Sequence, residues 1–421
     1  MDYDFATLDM SDDSEAASAR RSAWLMAVQR GFHSARPEEE AEKRWLTHVK
    51  ADDVTCRGAW LPEGEFGAGP VPVATFGSFT KTLNAGHALL PLRMITDVTT
   101  SPAHRRRGLV RRMMEDDLTD AVQQGVPLAA LTASEATIYG RWGFGAATFA
   151  QRVEVDSGPA FGMRSFTDTG RVEVIEPPDS WPIIKDVFDR FHRVTRGSVD
   201  WPQFYEAIHN GAYDFDAGGP DKKLRGVVHL DSGGTVDGFA LYKVDGDREA
   251  RKVGVSEMVA LTTSANLALW DFLGGIDLVK KVTFNLGHPD DALQWALRDI
   301  NAVRYIDLSE FLWVRILDVK TALEARPWTA DGEVVLEIED AQQHAAGRFR
   351  IVTEQGHASV SRTDDSPDIT LDAETLGSLF LGGAHVSALG RAGRLHGSAD
   401  AIARFAQLAD LADPPHNLTG F

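Results

Sequence analysis

A strand-forming run, a basic loop punctuated by Pro and Gly, and an amphipathic helix follow one another without a break from Thr96 to Gln124. Few folds accept that succession. TDVTT is rich in β-branched residues and reads as a strand, and SPAHRRRG reads as a loop. In LVRRMMEDDLTDAVQQ the residues Leu109, Val110, Met113, Met114, Leu118 and Val122 recur on one helical face. Glu115, Asp116, Asp117 and Asp120 fall elsewhere, and Gly125 stands where the helix should stop. The helix is therefore expected to pack by its apolar side on a sheet. Its first N–H groups have no partner within the helix and carry the positive end of the macrodipole. The backbone of Arg106, Arg107 and Gly108 thus offers donors to a pyrophosphate, and Gly108 lets a phosphate approach closely. Arg105, Arg106 and Arg107 concentrate positive charge in a chain whose formal net charge is -19.

The 421 residues exceed one ordinary core, and three domains are expected. A hydrophobic fraction of 43% and a charged fraction of 25% are those of a globular protein. No apolar run approaches the ~20 residues of a membrane span, so no membrane partner is expected. The start MDYDFATLDMSDDSEAASARR lacks the basic and apolar parts of a signal peptide, which points to a cytoplasmic protein. The lone Cys56 excludes an internal disulfide and a thiolate-rich zinc site, and it reads as a passive residue; no metal is expected. Acids outnumber bases 62 to 43, which disfavours nucleic acid as a partner and would attract a polycation, though solubility explains the same excess.

Three segments are expected, at 1–157, 158–328 and 329–421. The first opens with two helices between Ser14 and Asp53, with Phe32, His33 and Trp45 near their ends. Aromatics beside an acidic rim suit a cationic amine, although core packing explains each of them singly. Strands lead to the basic loop, VPLAALTAS is a further strand, and EATIYGRWGFG a short helix and turn. TFAQRVEVD is then expected to close the first sheet. The second segment repeats this order, but VALTTSANLALW, from Val259 to Trp270, has no Arg-x-x-Gly loop. That copy is expected to be degenerate, with KKVTFNLG and FLWVRILD completing its sheet. The third segment gives short strands first and helices after, an α+β layer, and ends in the extended tail DPPHNLTGF. The sequon Asn417-Leu418-Thr419 within that tail reads as accidental.

Arg105 to Val110 resembles the [Gln or Arg]-x-x-Gly-x-[Gly or Ala] loop with which GNAT-superfamily acetyltransferases hold the pyrophosphate of acetyl-CoA, with Val110 departing from the small last residue. VTTSPAHRRRGL followed by ALTASEATIYGRWGFG resembles the enhanced intracellular survival (Eis) family of multi-site aminoglycoside N-acetyltransferases. The resemblance implies an α+β chain of two tandem GNAT-like domains, the second degenerate, and a sterol-carrier-protein-like third. It implies acetyl-CoA as co-substrate, held along Val98, Thr99 and Thr100 and by Arg105, Arg106, Arg107, Gly108, Leu109 and Ser134. Tyr139 becomes the general acid for the departing thiolate, and the terminal carboxylate of Phe421 the general base. The implied substrate is a small cationic amine, such as an aminoglycoside or a polyamine, and the implied assembly a homohexamer; Phe32, His33, Trp45, Asp97 and Glu135 are the candidate substrate contacts. Three positions depart from the family pattern: Thr132 where a histidine is usual, Asp97 where the residue can be apolar, and Gly420 where an acid is usual. Protein-lysine acetylation and a non-enzymatic lipid-binding module are the competing readings.

Overall fold

The computed structural model describes residues 2–36, 38–133, 136–158, 161–214, 218–247 and 250–421. The N-terminal part of the chain forms β1 (Asp4–Thr7), α1 (Glu15–Gly31), α2 (Glu39–Ala51), β2 (Thr55–Trp60), β3 (Ala74–Asn84), β4 (Leu89–Thr100), α3 (Leu109–Gln123), β5 (Leu128–Thr132), α4 (Ala136–Tyr139), β6 (Gly145–Ala146) and β7 (Phe149–Asp156). The middle part forms β8 (Arg171–Ile175), α5 (Pro177–Val194), α6 (Phe204–His209), β9 (Arg225–Leu230), β10 (Val236–Asp245), β11 (Arg251–Ala260), α7 (Thr263–Gly274), β12 (Val279–Gly287), α8 (Leu293–Ala296), β13 (Val303–Glu310), β14 (Leu312–Ile316) and α9 (Val319–Ala325). The last part forms β15 (Gly332–Glu339), β16 (Gly347–Glu354), β17 (His357–Arg362), β18 (Ile369–Asp372), α10 (Ala373–Phe380), α11 (Val386–Arg391), β19 (Leu395–Gly397) and α12 (Ala399–Ala409). Among the described residues no helix is long and apolar enough to cross a membrane.

The strands make three sheets, ordered β1-β2-β3-β4-β5-β14-β6, β13-β7-β12-β11-β10-β9-β8 and β17-β16-β15-β18-β19. Two strands sit in the sheet opposite to the one their sequence position suggests. β7 lies between β12 and β13 and does not close the first sheet, whereas β14 lies between β5 and β6 and does not complete the second. The two crossings are bonded to each other: Thr148 accepts from Phe311 N at 2.9 Å through its carbonyl and from Leu312 N at 3.1 Å through its hydroxyl. Alternating burial along β7 reports which face of a strand is covered but is silent about which sheet the strand joins. The N-terminal and middle units are therefore tied by an exchange of strands.

α3 packs on the first sheet through Leu109, Met113, Met114 and Leu118, all buried. One acid departs from the expected polar face. Asp117 is fully buried, accepting from Arg57 Nη1 on β2 and from Ser78 Oγ on β3, each at 2.6 Å. Val122, expected on the apolar face, is 42% exposed at the end of the helix. The third unit joins the first along α10. A Cβ built on Gly145 would stand 2.0 Å from the carbonyl of Glu374, and one on Gly377 2.2 Å from that of Val314, so glycine sets that close approach. Arg315 of β14, buried, pairs with Asp340 at 2.5 Å, and Leu92, Val314, Leu336 and Phe380 belong to one hydrophobic cluster.

Candidate active site

β4 and β5 run parallel and pair only from Leu92↔Leu128 to Met94↔Ala130. β4 continues along β3 to Thr100, but beyond Met94 its other edge has no strand partner among the described residues. Backbone donors and acceptors around Val98–Thr100 are left open to an extended ligand. The register with β3 slips by one residue between Thr75↔Thr99 and Gly77↔Thr96, and within the slip Asp97 takes a left-handed φ of 53°. A non-glycine residue there is uncommon and strained. The hydroxyl of Thr75 donates to the carbonyl of Asp97 at 2.7 Å and lies 2.6 Å from the hydroxyl of Thr99, which fixes the turn.

The parted strands point toward the basic loop. Arg106 has φ 62° and Gly108 φ 78°, so two left-handed residues turn the chain into α3. Arg112 N closes the first helical bond onto Gly108 at 3.1 Å, which leaves the N–H groups of Leu109, Val110 and Arg111 without a partner inside the helix. No side chain caps this start, and a Cβ built on Gly108 would meet nothing within 4 Å. Arg105, Arg106 and Arg107 are exposed and form no ion pair among the described residues, while buried Leu109 anchors the turn. Open donors, free guanidinium groups and empty space in front of a glycine fit a pyrophosphate. The corresponding helix of the middle unit is built otherwise: Thr262 caps α7 by accepting from Ala265 N at 3.0 Å.

Beside the Asp97 bulge lies a cavity of about 400 Å³ to which all three parts of the chain contribute. Its wall holds Leu25 and Val28 of α1, Arg44, Trp45, His48 and Val49 of α2, Asp52, Phe79, Thr96, Asp97, Phe204 and Ile208 of α6, Tyr213, Gly420 and Phe421. Three residues singled out from the sequence, Trp45, Asp97 and Phe421, thus meet. Phe32 and His33 do not reach the wall: they follow α1, are exposed, and His33 has φ 59°. Ser134 and Glu135 lie outside the described residues. Tyr139 ends α4 with its ring 6.0 Å from Trp142 and 6.4 Å from Phe144, off the cavity wall. Cys56 is buried and its thiol pushed well up by that burial, a passive residue.

The sequence reading missed Arg44, His48, Asp52, Phe204 and Tyr213. For the α2 residues a signal existed, because Arg44, His48 and Asp52 recur at a spacing of four with Trp45 alongside. For Phe204 and Tyr213 none existed, since nothing in a sequence joins α6 to a cleft some 150 residues earlier, a distance matched by the bond from Gln203 N to Asp52 (|i−j| = 151). Electrostatically the wall is close to balanced. Asp52 pairs with Lys81 at 2.5 Å. Arg44 donates to the carbonyl of Ala212 at 2.7 Å and lies over the ring of Tyr213. Burial draws the His48 pKa below its ordinary value. Asp97 has no ion-pair partner among the described residues, and desolvation pushes its pKa up to about 6.

The C-terminal tail runs from Asp413 between the first two units to the cavity. His416 N donates to Arg196 O at 2.9 Å, and the hydroxyl of Thr419 to Val199 O at 2.6 Å. The Tyr205 hydroxyl accepts from Gly420 N at 2.8 Å and donates to Gly420 O at 3.1 Å. The Thr132 hydroxyl donates to Phe421 O at 2.7 Å, and the ring of Phe421 meets Phe79 edge-on at 6.4 Å. Asn417, head of the apparent sequon, is buried and bonded to Thr419 and Val199.

Residues 14–147 and 196–316 each match an acetyltransferase (GNAT) domain, and residues 319–417 a sterol carrier protein domain. N-acetyltransferase Eis of Mycobacterium tuberculosis is 32% identical over 389 residues, covering 89% of this chain and 91% of its own. The chain belongs to the Eis family. Like other Eis-family proteins it is an N-acetyltransferase, of the α+β class with two GNAT units followed by a sterol-carrier unit. An uncharacterized N-acetyltransferase of Streptomyces avermitilis is 34% identical over 90% of this chain and 91% of its own. The crystal structure of Eis1 from Mycobacterium abscessus superposes with a TM-score of 0.83 at 27% identity, with both chains covered completely. The GNAT fold implies acetyl-CoA as co-substrate, in keeping with the open helix start at Gly108.

Proposed function

We propose that this Eis-family enzyme transfers the acetyl group of acetyl-CoA to a primary amine bound in the cavity at Asp97. The carrying observation is that Asp97, the bulged residue of β4 just past the point where β4 and β5 part, lines the cavity, while the same strand leads through the basic loop into the uncapped start of α3. The N–H groups and guanidinium groups from Arg105 to Leu109 take the pyrophosphate, and the open edge at Val98–Thr100 takes the pantetheine arm, so the thioester is delivered beside the bulge. An ordinary ammonium of pKa about 10.4 costs roughly 4.6 kcal/mol to deprotonate at pH 7, so a base is required. Two carboxyl groups serve: Asp97, and by the family resemblance the terminal carboxylate of Phe421. The neutral amine nitrogen then attacks the thioester carbon, the adduct loses its second N–H proton to the base, and the C–S bond breaks as Tyr139 protonates the departing thiolate and regains its own proton from solvent, leaving amide and CoA thiol with one net proton released. The degenerate middle unit binds no second acetyl-CoA.

The resemblance extends the substrate to polycationic aminoglycosides acetylated at several positions, the assembly to a homohexamer and the compartment to the cytoplasm. A thiol-release assay with acetyl-CoA and a panel of amines tests the reaction itself. CoA release should require both an amine and an intact Gly108, and a folded enzyme that releases none with any amine removes the proposal.

A further inference from the structure

The core of the middle unit holds an ionisable pair that stability does not call for. His209, the last residue of α6, lies with Nε2 3.4 Å from Oε2 of Glu257 on β11, and the two side chains are only 4% and 5% exposed. Their other polar atoms, His209 Nδ1 and Glu257 Oε1, are buried and form no hydrogen bond among the described residues. Burial raises the pKa of Glu257, and the hydrogen bond from His209 opposes the rise. Taking such groups out of water is unfavourable, and replacing a buried pair of this kind by apolar side chains is often neutral or stabilising. A pair satisfied on one side only therefore works against the stability of the unit that contains it.

What the pair holds is the anchor of the tail. α6 has six residues and no side-chain cap at its start. A helix this short has little stability of its own, so its height and rotation are set by whatever ties its ends. The start is tied to the N-terminal unit by Gln203 N, which donates to Asp52 at 2.7 Å, and the end is tied to β11 by His209. Between the two ties, one turn before His209, stands Tyr205, whose hydroxyl accepts from Gly420 N at 2.8 Å and donates to Gly420 O at 3.1 Å. The His209 ring meets the rings of Tyr205 and Trp201 edge-on at 5.1 and 4.5 Å. Trp201 in turn stacks on Tyr205 at 5.1 Å and on Phe188 of α5 at 3.7 Å.

We propose that Glu257 and His209 are positioning residues for acetyl transfer, which hold α6 at the rotation that brings Tyr205 to Gly420 and so fix the carboxyl group of Phe421 at the cavity. The inference rests on the reading that this carboxyl group serves as a base, and it gives the unit without a phosphate loop a part in the reaction. Neither residue lines the cavity, so their influence reaches the reacting atoms through Tyr205.

The test uses the full chain carrying Glu257→Leu together with His209→Leu, which removes the pair and leaves an apolar core. Thiol release gives kcat and the KM for acetyl-CoA, and denaturant titration the midpoint. The midpoint should hold or rise while kcat falls about tenfold with KM unchanged, a split that a packing role would not produce. Glu257→Gln, which keeps a hydrogen-bonding side chain of the same shape opposite His209, should stay within about threefold of the parent kcat. In a Tyr205→Phe background the double variant should lower kcat no further, because the link it breaks is already gone. Full kcat in the double variant, a lowered midpoint or failure to fold, a Glu257→Gln enzyme as slow as the double variant, or a fall that adds in full to that of Tyr205→Phe each overturns the inference. Deleting residues 418–421 separates it from the reading beneath it. A folded deletion variant of full rate removes the base reading and the inference together, whereas a crippled deletion variant beside a fully active double variant overturns the inference alone.

Discussion

The Thr132 hydroxyl, at the last residue of β5, donates to the main-chain oxygen of Phe421 at 2.7 Å, across a sequence separation of 289. β5 is one of the two strands whose parting opens the proposed acetyl-CoA groove, so on that reading this bond places Phe421 beside the thioester. The hold is shared, since Tyr205 of the middle unit grips Gly420 through both N–H and carbonyl. All three units thus meet at the last two residues, Gly420 and Phe421.

Removing either grip should loosen the tail without touching the groove. Thr132→Val deletes one hydrogen bond and Tyr205→Phe two, each worth about 1 kcal/mol, so kcat should fall about fivefold in the first and about thirtyfold in the second. Acetyl-CoA affinity, measured by calorimetry, should stay as it was. A few residues added after Phe421 should lower kcat further, and an N-terminal tag should leave it unchanged. A C-terminally extended, folded enzyme of full rate removes the Phe421 carboxyl from the mechanism.

One acetyl-CoA should bind per chain, since α3 begins with an open glycine and α7 with a side-chain cap. Titration calorimetry reads the stoichiometry directly. Gly108→Glu should abolish binding by setting a carboxylate on strained left-handed backbone against the pyrophosphate. Two sites per chain, or binding by the glutamate variant, count against this division of labour.

Tyr139→Phe should lower turnover by about 10² or more, in the range typical of general acid catalysis, with little change in acetyl-CoA affinity. The ring contacts with Trp142 and Phe144 survive the substitution, so the fold should hold. Unchanged kcat at saturating acetyl-CoA would assign Tyr139 to packing alone.

What could be read from the sequence was local. The loop, α3 and its apolar face followed from residue types at fixed spacing, because hydrogen bonding and helical period act over a few residues. The exchange of β7 and β14 could not be read, since a strand alternates identically in either sheet. Asp117 escaped for a related reason: periodicity sees an acid and assigns it to solvent, while Arg57 and Ser78 wait on other strands. The same limit applies to the cavity, where Trp45 and Asp97 were legible but Phe204 and Tyr213 came from a segment joined to it only by folding.

The buried Asp117 should matter for stability more than for chemistry. Asp117→Ala removes the acceptor of Arg57 and Ser78 beneath α3, though Arg57 keeps Asp120 at 2.6 Å. The cost should be about 1.5–3 kcal/mol, that of hydrogen bonds to a charged group, read as a lower denaturation midpoint. Asp116→Ala, exposed one residue away, should change it by less than about 0.5 kcal/mol.

Asp97 joins stability and catalysis through its proton. Its carboxyl faces the cavity but is otherwise surrounded by protein, and desolvation raises its pKa from 3.8 to about 6. A carboxyl that ionises later when folded than when unfolded opposes folding once it is charged. That penalty is absent below about pH 3.8, grows as pH rises and is complete above about pH 6. Asp97→Asn should therefore be more stable than the parent at pH 7, with the gap shrinking as pH falls through 6 toward 4, as denaturant titration at several pH values will show. The rate should move the other way. If Asp97 takes the amine proton it must be ionised, so the acid limb of kcat/KM should have its midpoint near pH 6, and the asparagine variant should lose both the rate and that limb. A variant that gains stability at pH 7 yet keeps the limb would leave the proton to the carboxyl group of Phe421, with Asp97 retained as the ammonium's counter-charge.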